Sequence, residues 1–174
     1  MSNETPVIAV DHLVTAYDDM IVLDDISFTV KREEVFVVLG GSGCGKSTLL
    51  KHILGLYKPV SGRISLFGTD ITQITEEELR PIRRQIGMVF QGSALFNSMT
   101  LAENVALPLE EYTEYPNRII DDIVDWKLRM VELEHAREFM PSQLSGGMRK
   151  RAAIARGMAL DPDLILFDEH TTGL

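Results

Sequence analysis

The sequence has one cysteine, Cys44, in 174 residues. An internal disulfide is therefore excluded, and this usage fits a reducing compartment. No unbroken apolar run approaches the ~18 residues that a membrane helix needs. The opening MSNETPVIAV has no basic segment followed by an apolar one, so no secretory signal is expected. Positive charge is scarce as well: 17 Lys and Arg stand against 26 Asp and Glu, for a net charge of −9. That balance argues against a nucleic-acid surface and against direct adhesion to anionic lipid. Any link to a membrane would run through a protein partner. Repeats and low-complexity tracts are missing too. What is present is a chain 45% hydrophobic and 25% charged, the composition of a soluble globular protein large enough for one domain with a sizeable core.

Periodicity supplies the outline. The segments VIAVDHLVTAY and IVLDDISFTV alternate apolar and polar residues and predict strands. VFVVL, from Val35 to Leu39, is continuously apolar and predicts a strand covered on both faces. Leu49, Leu50, Ile53 and Leu54 have helical spacing within residues 47–57. SGRISLFG reads as a strand between turns. Thr75 and Glu78 make a T-x-x-E capping box, which places a helix start at Thr75; Pro81 should kink or end that helix. IGMVFQ is a further strand. Residues 100–160 read as mostly helical, with Ile120, Val124, Leu128 and Val131 on one face of a helix over 117–133. Ala152, Ala153, Ala155 and Ala159 make residues 145–160 a helix suited to close packing. Asp161-Pro162 stops it, and LILFD predicts a second fully buried strand. Strands, then a helical block, then a strand suggest an α/β core with a helical insertion.

GGSGCGKST fits G-x-x-x-x-G-K-[ST] at Gly40, Gly45, Lys46 and Ser47. Backbone N–H groups must turn inward around phosphates, which requires residues tolerant of unusual dihedrals. The helix that follows points its positive end at the anion. Lys46 would reach the terminal phosphates and the Ser47 hydroxyl would ligate Mg²⁺. The preceding apolar segment and the following amphipathic helix are the context this mechanism demands. Gly40, Gly41, Ser42, Gly43, Cys44, Gly45, Lys46, Ser47 and Thr48 are thus the expected contacts to the phosphates of a nucleotide, with the Cys44 thiol itself read as a small filler. Such a loop needs a magnesium partner and a base. Asp168, after the last apolar strand, would supply the first through water, and Glu169 the second by polarising the attacking water.

Three more segments complete a pattern: Gln91 ends a strand in VFQ, LSGGM runs from Leu144 to Met148 before a helix, and Tyr17 lies upstream of the phosphate loop. Together with GSGCGKST and LILFDE, and in this order along nearly the whole chain, they resemble the nucleotide-binding subunit of ABC transporters. The resemblance implies a P-loop NTPase (RecA-like) α/β core with an N-terminal antiparallel β subdomain and a helical ABC-specific insertion, incomplete at the C-terminus. Residues 1–91 and 161–174 would form the core and β subdomain, and residues 92–160 the helical subdomain. It also implies that Tyr17 stacks on adenine and that Gln91 senses the γ-phosphate and magnesium and connects to the insertion. Ser145, Gly146 and Gly147 would bind the γ-phosphate of ATP held by a second copy. A Ser-Gly-Gly at a helix N-terminus is an anion site in its own right, and one phosphate loop has no need of two in one chain. A homodimer of nucleotide-binding subunits with two ATP molecules between them follows.

FQGSALFNSMTLAENVALPL followed by MPSQLSGGMRKRAAIARGMALDPDLILFDE is similar to the ATPases of Mla/Mce-type phospholipid transporters. That likeness implies ATP hydrolysis driving lipid movement, with transmembrane permease subunits and an MCE-domain lipid-binding protein as partners. It also implies a cytoplasmic location, peripheral on the inner face of the bacterial inner membrane. Residues 96–108 would either help form the groove for the permease's coupling helix or pack within the insertion. The chain departs from the family pattern at its end. His170 replaces a proline, and the D-loop aspartate and the switch histidine do not appear before Leu174. Glu33 stands where a glycine is common and is expected to tighten a turn, and the run Arg149–Arg151 reads as a solvated helix face. The alternatives are an ATP-binding module without turnover, lacking those C-terminal motifs, and a soluble non-transport ABC ATPase.

Overall fold

Alternation in the first thirty residues becomes a ladder. In the computed structural model, which describes residues 5–18 and 20–168, β1 (Ile8–Tyr17) pairs antiparallel with β2 (Met20–Val30). On its other edge β1 pairs antiparallel with β3 (Ser61–Leu66), which pairs with the short β4 (Thr69–Asp70). The sheet order is β2-β1-β3-β4. Ile8, Val10, Ile64 and Leu66 are buried, and the register sets Ile8 against Leu66 and Val10 against Ile64. Burial then changes phase, resuming at Leu13 and Thr15. The change falls where the β1–β2 register shifts, with His12 at φ +47°. A bulge there inserts the extra residue that returns the apolar face to the core.

α1 (Lys46–Ile53) is shorter than the predicted helix over 47–57, because Leu54 caps it and Gly55 takes φ +67°, a conformation that ends helices. α2 (Glu76–Arg83) starts where the capping box placed it. Glu78 accepts from the Thr75 amide at 2.8 Å, and the Thr75 hydroxyl accepts from the Glu78 amide at 3.3 Å. Pro81 does not end the helix, which continues to Arg83; it forfeits one backbone bond, while buried Leu79 anchors the helix.

The predicted strand VFVVL is not one. Val35–Leu39 belongs to neither ladder, and Val35 and Leu39 are about 90% exposed. Apolarity records a preference for burial, but a strand also needs neighbouring edges to accept its hydrogen bonds. Here only Phe36 finds a stacking partner, Phe28, at 4.9 Å.

The chain divides into two compact units, Met1–Arg83 and Arg84–Leu174. In the second, β5 (Ile86–Val89) and β6 (Leu164–Phe167) form a parallel pair in register from Ile86–Leu164 to Val89–Phe167. β6 was expected to be fully buried, but only Leu166 is; Phe167 is half exposed, since a two-stranded ladder cannot cover both faces of its strands. α3 (Leu101–Tyr112), α4 (Asn117–Met130) and α5 (Gly146–Gly157) supply the core of this unit. Leu101, Val105, Leu109, Val124 and Leu128 are sealed within it; of the 96–108 stretch, Leu101, Ala102, Asn104, Val105 and Ala106 are buried while Phe96 is half exposed. Ala152, Ala153, Ala155 and Ala159 are all buried, and the small face lets α5 approach β5 so closely that a Cβ on Gly87 would lie 2.2 Å from the Gly157 carbonyl oxygen. The arginines of Arg149–Arg151 are not merely solvated: Arg149 donates to the Leu144 carbonyl at 2.6 Å and Arg151 to that of Val131 at 2.7 Å.

Candidate nucleotide-binding site

The loop that precedes α1 is shaped by two left-handed glycines, Gly43 at φ +79° and Gly45 at φ +95°. Gly45 is buried, and a Cβ there would lie 2.7 Å from the Leu23 side chain on β2. The loop is thus pinned at its base, while residues 40–44 are exposed. The Gly45 carbonyl accepts from the Leu49 amide at 2.8 Å, opening the helix. No side chain caps α1, and no acidic residue lies in its first turn, so the positive end of its dipole faces the loop uncompensated.

Lys46 folds back into the loop. Its Nζ donates to the carbonyls of Gly40 and Gly41, at 2.8 and 2.7 Å, and lies 3.6 Å from the Cys44 Sγ. The arrangement therefore concentrates an ammonium and a helix N-terminus in one glycine-lined turn, which is the chemistry of a phosphate site. Ser47 and Thr48 follow on the half-buried first turn of α1; the Thr48 carbonyl lies 2.8 Å from the His52 Nδ1, which satisfies that buried ring. An adjacent cleft of about 330 Å³ is lined by Leu23, Phe28, Val38 and Leu49 as well as Lys46; its apolar walls do not suit a polyphosphate. Tyr17 ends β1 half exposed, edge-on to Tyr57 at 6.1 Å.

In the second unit Gln91 and Asp168 come to the same end of one ladder. Gln91 is two residues past β5 and Asp168 directly follows β6, and the Asp168 amide donates to the Val89 carbonyl at 2.9 Å. Ser145 caps α5, its hydroxyl accepting from the Met148 amide at 3.2 Å. Gly146 and Gly147 are exposed, with open space where a Cβ would stand. Glu169 and His170 lie outside the described residues. No cluster of three or more His, Cys, Asp or Glu suited to a metal occurs among the described residues. Gln91 and Asp168 in this unit, and Ser47 in the first, each carry a hard oxygen donor of the kind that suits Mg²⁺.

Two residues that sequence reasoning missed organise the segment after Gln91. Arg156, on the last turn of α5, donates to the carbonyls of Ala94 and Ser93, at 2.7 and 3.2 Å. Burial pushes its guanidinium below the usual arginine value. Asn104, fully buried on α3, accepts from the Phe96 amide at 2.8 Å and donates toward the carbonyls of Phe96, Met99 and Thr100. A signal existed for each: an arginine in a run of small residues, and an asparagine on the apolar face of a helix.

Comparison with known proteins agrees with this geometry. The chain is 45% identical over 166 residues to the intermembrane phospholipid transport system ATP-binding protein MlaF of Haemophilus influenzae, covering 95% of this chain and 63% of that protein. It is 44% identical over 167 residues to the probable ribonucleotide transport ATP-binding protein mkl of Mycobacterium bovis, covering 96% of this chain and 46% of that protein. The chain thus spans less than two thirds of the length of these relatives. Among solved structures, the ATP-binding cassette MJ0796, a dimer in a post-hydrolysis state bound to ADP and Pi, superposes with a TM-score of 0.87 at 33% identity, covering 96% of this chain and 75% of that one. The fold is accordingly that of an ABC ATPase cassette, a P-loop α/β protein with an antiparallel β part. Residues 23–172 match the family model for the ABC transporter, and the chain belongs to that family.

Proposed function

We propose that this chain binds ATP with Mg²⁺ and hydrolyses it as the motor subunit of a phospholipid transporter of the Mla/Mce type. The observation that carries the reading is the turn in which the Lys46 ammonium is held over the Gly40 and Gly41 carbonyls at the head of α1. That turn would take the triphosphate, with Lys46 neutralising charge on its end and the neighbouring amides supplying donors. Ser47, Gln91 and Asp168 are the proposed magnesium ligands, and the ion would offset charge on the phosphates. Tyr17 would stack on adenine, Glu169 would orient the attacking water, and Ser145, Gly146 and Gly147 would serve ATP held by a second copy.

Phospholipid as cargo rests on the likeness to MlaF and on the Mla-like residues around Gln91 and Ser145. The similar identity to mkl, named for ribonucleotide transport, makes cargo the first thing to test. The partners proposed are a second nucleotide-binding subunit, transmembrane permease subunits and an MCE-domain lipid-binding protein, with no nucleic acid. No helix among the described residues is long and apolar enough to cross a membrane, so the proposed place, cytoplasmic on the inner face of the inner membrane, depends on the permease.

Phosphate release from ATP, measured on the purified chain and on its complex with the permease, tests the motor. Release that disappears in Lys46→Ala and in Glu169→Gln supports it. Binding of ATP without release in either preparation identifies a nucleotide-binding module instead. Recovery of an MCE-domain protein with the permease, and ATP-dependent transfer of a labelled phospholipid between vesicles, supports the cargo; transfer of a nucleotide and not of lipid overturns it.

A further inference from the structure

We propose that Arg156 is a positioning residue for Gln91, holding from the last turn of α5 the strained turn on which Gln91 sits. The proposal rests on the reading of Gln91 as a sensor of the γ-phosphate.

The turn is closed by the Ser93 amide donating to the Phe90 carbonyl at 3.1 Å, which puts Gln91 and Gly92 at its two central positions. Gly92, Ser93 and Ala94 all have positive φ, at 75°, 72° and 47°. Glycine tolerates this, but two consecutive side-chain-bearing residues do not without support. Such conformations persist only where the surroundings over-determine them. Among the described residues, one guanidinium bonds the carbonyls of Ser93 and Ala94 together. A planar fork presents its donors to two adjacent carbonyls in a fixed geometry, whereas an ammonium on a flexible stem offers rotatable donors and fixes their direction less well.

The support is itself rigid. Ala152, Ala153 and Ala155, on the same helix, are buried, and the helix begins at the Ser145 cap, followed by Gly146 and Gly147. One helix thus carries the proposed anion site at its start and the brace for Gln91 at its end. Without the brace, Ser93 and Ala94 would relax toward negative φ, and Gln91 would lose its fixed direction while the phosphate loop kept its own contacts.

The test uses the complete protein with its permease partner, comparing Arg156→Ala, Arg156→Lys, Gln91→Ala and the double variant Gln91→Ala/Arg156→Ala. The expected result is a kcat for ATP lowered about ten- to a hundredfold in Arg156→Ala, partial recovery in Arg156→Lys, and affinity for a fluorescent ATP analogue within about twofold of the parent. The double variant should be no slower than Gln91→Ala alone, because both changes act through one group. Losses that multiply in the double variant, or an unchanged kcat in a folded Arg156→Ala protein, overturn the proposal. Should Arg156→Ala not fold, as judged by circular dichroism, Arg156→Lys takes its place in the same cycle. Full turnover in Gln91→Ala overturns the reading of Gln91 itself, a result obtained without any change at Arg156 and therefore separable from failure of the brace.

Discussion

Lys127, buried on α4, makes an ion pair with Asp161, which lies just beyond the end of α5 and is mostly exposed. The same ammonium lies 4.9 Å from the centre of the Trp126 ring. A buried cation on a helix face that should be apolar is thus matched by a carboxylate in the segment that follows α5, which has already ended at Gly157. Because one partner stands in water, the pair is expected to matter chiefly through what its loss would leave behind.

Removing only the carboxylate, as in Asp161→Asn, strands the buried ammonium and should lower unfolding free energy by about 1–3 kcal/mol. Asparagine is chosen because Asp161 has φ +49°, which asparagine tolerates. Lys127→Met keeps the bulk and removes the charge, and should change stability by less than about 1.5 kcal/mol. Urea denaturation of both variants checks the order; equal losses would contradict it.

Gly45→Ala and Gly41→Ala should part company although both lie in the same loop. At Gly45 a methyl group meets Leu23 at 2.7 Å on a backbone at φ +95°. Left-handed strain of about 1–2 kcal/mol adds to overpacking of about 1–3 kcal/mol, so a loss of several kcal/mol is expected, along with affinity for a fluorescent ATP analogue. At Gly41 nothing lies within 4 Å of the new atom, and stability should stay within about 0.5 kcal/mol. Melting temperatures distinguish the two.

The bulge of β1 should respond to pH. His12 Nδ1 lies 2.5 Å from a carboxylate oxygen of Asp25, and Asp11 is close by. The hydrogen bond to Asp25 and the charges of Asp25 and Asp11 raise the imidazole above its ordinary value. A group raised in the folded state contributes its stability below the unfolded value, about 6.5, and loses it as pH rises through the folded value. An NMR titration should find the His12 midpoint above the ordinary histidine value, and Asp25→Asn should move it down. Added salt should shrink the difference, since the pair is exposed.

Legibility in the sequence followed the kind of information each element needs. The phosphate loop was readable because its dihedrals demand particular residues locally, as Gly45 shows. The α2 start was readable because Thr75 and Glu78 cap it with their own side chains; the same signal at Thr100 and Glu103 also marks a cap and passed unnoticed. Strand partners were not readable. The apolarity of residues 35–39 and of β6 said nothing about which edges or layers would meet them. Arg156 and Asn104 stood out in the sequence, but their partners did not: each acts on main-chain carbonyls, and a carbonyl leaves no trace in the identity of its residue.

The open stretch Val35–Leu39 bears on how this protein should be handled. Five consecutive apolar residues, mostly β-branched and without charge or proline, form a ready seed for cross-chain pairing. Arg32, Glu33 and Glu34 on the N-terminal side act as gatekeepers. Concentration and ionic strength therefore become hidden variables in every assay of the isolated chain, and light scattering belongs beside each rate.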